Sequence, residues 1–158
     1  MNAYALWGKG LSRNKALVIY DTMWGSTGKM AHALAEGIIS EGIEAKLYNL
    51  TQSDQSDIIK EVLDARAVLV GSPTLNNELF PTVAGFLAYL KGFKPKGKLG
   101  AAFGSYGWAG GAVKAIEQEL GQAGMEVVDS GLAVKFVPDK DEIQKCVDFG
   151  KAIAGKLK

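Results

Sequence analysis

The chain is poor in the residues that anchor covalent or metal chemistry. Its 158 residues include one cysteine, Cys146, and one histidine, His32. A single cysteine excludes an intramolecular disulfide and suits a reducing cytoplasm, where structural disulfides are rare. A single histidine excludes a histidine-rich metal centre, so no metal is expected, and His32 reads as a helix-surface or packing residue. An excess of one charge is missing too: 18 Lys and Arg stand against 17 Asp and Glu, for a net charge of +1. With no long basic run, a nucleic-acid partner is not expected. No apolar run approaches the roughly 20 residues of a membrane span. The first residues lack the charged-then-apolar pattern of a secretory leader. The expectation is a cytoplasmic protein without a membrane partner.

What is present is an ordinary globular composition, 47% apolar, of a length that suits one domain. Such a chain buries roughly 70% of its unfolded surface and folds without staples. Residues 1–14 show no clear period and read as a lead-in or linker-like segment, with Leu6 and Trp7 anchored on the domain body or on a neighbour. From Lys15 onward, short apolar runs alternate with helical patterns. The runs are Ala16–Tyr20, Ala45–Leu50, Ala67–Ser72, Leu99–Ser105 and a broken stretch over Met125–Val137. Several are apolar almost without alternation, as expected of parallel strands covered on both faces.

Between the runs lie amphipathic helices. Met30, Leu34 and Ile38 recur every fourth residue, and Val83, Phe86, Leu87 and Leu90 follow the i, i+3, i+4, i+7 pattern. Val113, Ile116 and Leu120 form a third apolar face, and Ile143, Cys146, Val147, Gly150 and Ile153 a fourth. Cys146 is therefore expected to be a buried structural thiol. A shorter helix over Asp54–Leu63 has Ser53 or Asp54 as its cap, and Gly42, Gly92 and Gly124 fall where left-handed caps are common. The predicted layout is βαβαβαβαβα. With right-handed crossovers it becomes a three-layer αβα architecture around a five-stranded parallel sheet of order 2-1-3-4-5.

In such a sheet ligands sit beyond the carboxyl ends of the strands, so the loops there carry the candidate site. The first loop, within "YDTMWGSTGKMAHALAEG", resembles a nucleoside-triphosphate loop only superficially. That motif needs Gly, four residues, then Gly-Lys-Ser/Thr, but Met23 stands five before Gly28 and Met30 follows Lys29. No Gly-x-Gly-x-x-Gly follows the first strand either. What remains is Thr22, Met23, Trp24, Gly25, Ser26 and Thr27 at a helix start. Backbone amides, hydroxyls and the helix dipole could hold a phosphate monoester there without a cation. The plainer alternative is a hydroxyl-capped turn.

After the third strand, Pro73, Thr74, Leu75, Asn76 and Asn77 offer donors and acceptors for the edge of a polar heterocycle. A turn followed by a helix cap is the alternative. After the fourth strand, Ser105, Tyr106, Gly107, Trp108, Ala109, Gly110 and Gly111 combine glycines with aromatics. The glycines admit close backbone approach and the aromatics can stack on a flat ligand, unless they merely pack on the surface. No catalytic residue is assigned: Ser/His/Asp, Cys/His and paired-carboxylate sets are absent from these loops, so a cofactor must supply any chemistry.

The motifs "YDTMWGSTGKMAHALAEG", "VLVGSPTLNNELFP" and "FGSYGWAGGA" together resemble the flavodoxin domain of the A-type flavoproteins, or flavodiiron proteins. The resemblance covers nearly the whole chain from Lys15. It implies a flavodoxin-like fold with non-covalently bound FMN. Residues 22–27 would hold the phosphate, and residues 73–77 and 105–111 would enclose the isoalloxazine ring, with Trp108 or Tyr106 on its face. Members of that family also carry a metallo-β-lactamase-like domain whose di-iron site reduces oxygen or nitric oxide. That site takes several histidines, so this chain alone is not the reductase. The lead-in "YALWGKGLSRNK" resembles the segment that joins the two domains.

The resemblance implies an electron-transfer module rather than a stand-alone enzyme. Its donor would be a rubredoxin or a reductase and its acceptor a di-iron domain or another redox partner, with homodimerisation left open. The competing readings are an FMN-dependent NAD(P)H:quinone oxidoreductase and a non-flavin receiver domain. A receiver needs a phosphoacceptor aspartate where the third strand here ends in Gly71-Ser72-Pro73.

Overall fold

The first apolar run forms strand β1, Lys15–Tyr20, and all six of its residues are buried. The reason is its place in the sheet: β1 pairs in parallel with β2, Glu44–Asn49, on one side and with β3, Ala67–Leu75, on the other. The computed structural model describes residues 15–21, 25–75, 78–79, 81–93, 98–106, 112–128, 131–135 and 139–157, with the backbone alone at 74, 75, 78, 79, 106, 134 and 135. The lead-in segment 1–14 lies outside these residues.

Among the described residues, five helices follow the strands: α1 (Ser26–Ser40), α2 (Gln55–Asp64), α3 (Pro81–Phe93), α4 (Ala112–Gln122) and α5 (Lys140–Leu157). Successive β1 residues point to opposite faces of the sheet. Ala16 and Val18 meet Met30, Leu34 and Ile38 of α1 and Cys146 and Ile153 of α5. Leu17 and Ile19 meet Ile58 and Val62 of α2, Phe86, Leu87 and Leu90 of α3, and Ile116 and Leu120 of α4. The sheet is thus covered on both faces. Each fully buried Leu, Ile, Met or Phe contributes about 1.5–3 kcal/mol.

The strand order is β2-β1-β3-β5-β6, with β5 spanning Leu99–Tyr106. The expected fifth strand exists in two pieces on the same edge of β5. Strand β6, Glu126–Val127, pairs with Leu99 and Gly100, and β7, Leu132–Lys135, pairs with Phe103 to Tyr106. The expected order 2-1-3-4-5 therefore holds, with its last position interrupted before Gly131. A Cβ on Gly131 would lie 2.5 Å from Val113 and 2.8 Å from the Ala102 carbonyl, so only glycine lets the chain rejoin β5 there.

Two local expectations change. Strand β3 runs on through Leu75 and pairs antiparallel with β4, Glu78–Leu79, so the segment expected to be a simple turn is a short hairpin before α3. Gly92 lies inside α3 rather than beyond its end, whereas Gly42 and Gly124 do take left-handed φ values of 84° and 95°. Asp54 is the cap of α2 and accepts a hydrogen bond from the Ser56 amide at 2.7 Å. No helix among the described residues is long and apolar enough to cross a membrane.

Candidate functional site

The strand order reverses between β1 and β3. The chain leaves β1 toward α1 on one face and leaves β3 toward α3 on the other, which makes their carboxyl ends the switch point where open α/β sheets place a ligand crevice. The start of α1 faces this edge. Gly25 precedes the helix with φ 81° and ψ −3°, a conformation that side-chain-bearing residues rarely adopt. The cap residue, Gly25, makes no side-chain cap hydrogen bond, and the first turn of the helix holds no acidic residue. A helix start whose first turn carries no carboxylate presents partial positive charge to an anion. Ser26 and Thr27 are 6% and 0% exposed.

Thr27 joins the first loop to the third. Its hydroxyl lies 2.9 Å from that of Ser105, in a buried hydrogen bond across 78 residues of sequence. The parallel register of β3 and β5 sets this meeting, with Ser72 opposite Gly104 and Pro73 opposite Ser105. The two strands pack closely here. A Cβ on Gly104 would lie 2.4 Å from the Ser72 carbonyl oxygen, and one on Gly71 would lie 2.2 Å from the Phe103 ring. The buried Ser72 hydroxyl donates to the Pro73 carbonyl at 2.7 Å.

Of the expected site residues, Gly25, Ser26, Thr27, Pro73 and Ser105 are placed together at this edge, and Thr74, Leu75 and Tyr106 continue the backbones of β3 and β5 beside them. Thr22, Met23, Trp24, Asn76, Asn77, Gly107, Trp108, Ala109, Gly110 and Gly111 lie outside the described residues. One group at the edge was missed. Asp21, 3% exposed, accepts hydrogen bonds from the hydroxyls of Thr51 and Thr82. Its signal in the sequence is a carboxylate directly behind an unbroken apolar strand.

Among the described residues, the opposite edge of the sheet carries an ionic cluster. The Lys15 ammonium, buried at the start of β1, donates to Glu61 at 2.6 Å and Asp64 at 2.9 Å. Burial alone would lower the Lys15 pKa, but the two carboxylates outweigh it and raise it above the ordinary lysine value. Burial likewise works against the Glu61 carboxylate, yet Lys15 and then Lys46 hold its pKa below the ordinary range. Cys146 is wholly buried, and burial first, with Glu142 second, pushes its thiol up to about 11. It is structural rather than reactive.

A doubly wound parallel sheet with an anion-ready helix start at its switch point defines a mononucleotide-binding α/β domain. Comparison with known proteins narrows the class. The Flavodoxin family pattern matches residues 18–150. A nitric oxide reductase of Moorella thermoacetica is 49% identical over 158 residues, which is 99% of this chain and 40% of that protein. The solved rubredoxin oxygen:oxidoreductase of Desulfovibrio gigas superposes with a TM-score of 0.92 at 40% identity, over 98% of this chain and 38% of that one. A solved archaeal flavodoxin superposes at 0.84 with 33% identity, over 90% of this chain and 98% of that one. This chain belongs to the flavodoxin family, whose members are FMN-binding flavoproteins. Its homologues include flavodiiron proteins, and it corresponds to their flavodoxin-like part. It spans about 40% of the length of curated relatives that it matches.

Proposed function

We propose that this chain is an FMN-holding electron-transfer module. One observation carries the reading: the glycine-started α1, with no acidic residue in its first turn, sits at the switch point of the sheet, and its buried Thr27 is tied to Ser105 near the end of β5. The fit to a phosphate monoester is chemical. Amides and hydroxyls surround the helix start, and its first turn adds no negative charge. Residues 22–27 would hold the phosphate, with Thr27 and Ser105 keeping that loop against the third. Residues 73–77 and 105–111 would enclose the ring, with Trp108 or Tyr106 on its face. When bound, FMN supplies a ring that takes up and releases electrons, and the polypeptide's work is to hold and orient it.

By analogy with relatives named rubredoxin-oxygen oxidoreductase and anaerobic nitric oxide reductase flavorubredoxin, the donor would be a rubredoxin-like protein and the acceptor a di-iron domain. Residues 1–14 would form the linker-like approach to such a domain, and residues 15–158 the FMN-binding unit.

The test is direct. Purified chain should bind FMN and show a flavin absorption spectrum. Replacing Ser26 by Ala should weaken FMN by ~1 kcal/mol for the net hydrogen bond lost and leave riboflavin binding nearly unchanged. Equal losses for the two ligands would place the phosphate elsewhere.

A further inference from the structure

Asp21 gathers the segments that border the crevice. Its amide donates to the Gly71 carbonyl at 3.3 Å, which stitches the end of β1 to β3. Its carboxylate receives the Thr51 hydroxyl at 3.0 and 2.9 Å, from the loop after β2, and the Thr82 hydroxyl from the first turn of α3. The first candidate ligand loop begins at the next residue, Thr22. The second, residues 73–77, is followed by β4 and then by α3, whose second residue is Thr82. A single buried carboxylate therefore links the residue before one candidate ligand loop to the helix that follows the other.

Burying a carboxylate is costly unless hydrogen bonds compensate it, so this position is a strong constraint on the edge. An ionised carboxylate only accepts. It can take both threonine hydrogens at once, whereas an asparagine would turn a donor toward one of them. From these contacts we infer that Asp21 is a positioning residue, one that through Thr82 fixes the end of β1, where the phosphate-side loop would begin, against the first turn of α3, which follows the ring-side segment. The inference rests on the FMN reading of the crevice. Its negative charge, held out of water at the same edge, also opposes the gain of an electron by a ligand there.

Thr82 gives the cleaner test because the residue is exposed. Thr82→Val keeps the shape and removes the hydroxyl; Thr82→Ser keeps the hydroxyl. Titration of the apo-chain with FMN should show Thr82→Val about tenfold weaker, the ratio expected on losing one hydrogen bond to a charged group. Thr82→Ser should stay within about twofold of the native chain, a difference near the size of ordinary surface-substitution effects. Asp21→Asn should raise the midpoint potential of the bound flavin at pH 7 in a dye-linked titration, while Thr82→Val, which keeps the charge, should not. Native-like FMN binding by Thr82→Val would overturn the inference, as would an unchanged or lowered midpoint in Asp21→Asn. A native chain that takes up no FMN at all would overturn the underlying reading and this one together. Normal binding by the native chain with unaltered variants would overturn this one alone.

Discussion

At the residue scale, the chain keeps its two demanding groups at opposite ends of β1. Lys15 begins the strand in an ionic cluster, and Asp21 follows its end at the crevice. The first is a matter of stability and the second, on the proposed reading, of ligand geometry. The Glu61 carboxylate is held below its ordinary value of 4.5. A group whose folded pKa is depressed adds stability that is present above the unfolded value and lost as pH falls through the folded one. Glu61→Gln should therefore lower the melting temperature at pH 7. The gap from the native chain should narrow as pH falls below about 4.5. Thermal melts of both proteins between pH 7 and 3 check this, and a gap independent of pH would mean that the Lys15 contact adds nothing. Neither role was legible from residue type alone. A lysine at the head of an apolar run looks like a solvated flank, and its burial follows from acids 46 and 49 residues away.

At the element scale, the periodic helices were legible because one face of each must meet the sheet. Met30, Leu34, Ile38, Phe86, Leu87, Leu90, Ile116 and Leu120 are all buried as their spacing required. Less legible was how near two helices on one face come together. A Cβ on Gly37 would lie 2.1 Å from the Val147 carbonyl oxygen, and one on Gly150 would lie 2.3 Å from that of Leu34. The two glycines let α1 and α5 touch backbone to backbone. Gly150→Ala should force the helices apart and destabilise the fold by about 1–3 kcal/mol, the usual range for overpacking. Urea unfolding measures it; a loss below about 0.5 kcal/mol, the scatter of ordinary surface changes, would show that the pair has slack. The split of the last strand into β6 and β7 also escaped the pattern, beyond its broken periodicity, because the close approach at Gly131 belongs to Val113 and Ala102 of other elements.

At the scale of the whole molecule, the chain matches a complete flavodoxin and only part of the longer oxidoreductases. The electron-transfer reading makes a kinetic prediction. The FMN-loaded chain should exchange electrons quickly with a small reduced redox protein and slowly with NADPH alone. Stopped-flow reduction with each donor decides this, and rapid NADPH oxidation with a quinone would favour the quinone-reductase alternative.

The sequence by itself determined the layered architecture and the strand order, and it placed the candidate ligand loops at one edge of the sheet. Those follow from apolar periodicity, from glycines with left-handed backbone, and from the fixed hand of parallel crossovers. The recognisable loop motifs added the cofactor class. Tertiary structure alone decided which hydroxyl meets which: Thr27 with Ser105, and Thr51 and Thr82 with Asp21. The physical reason is that periodicity reports which face of an element is buried. Strand register and helix approach set the hydrogen bonds between residues far apart in the chain, and no local pattern encodes those distances.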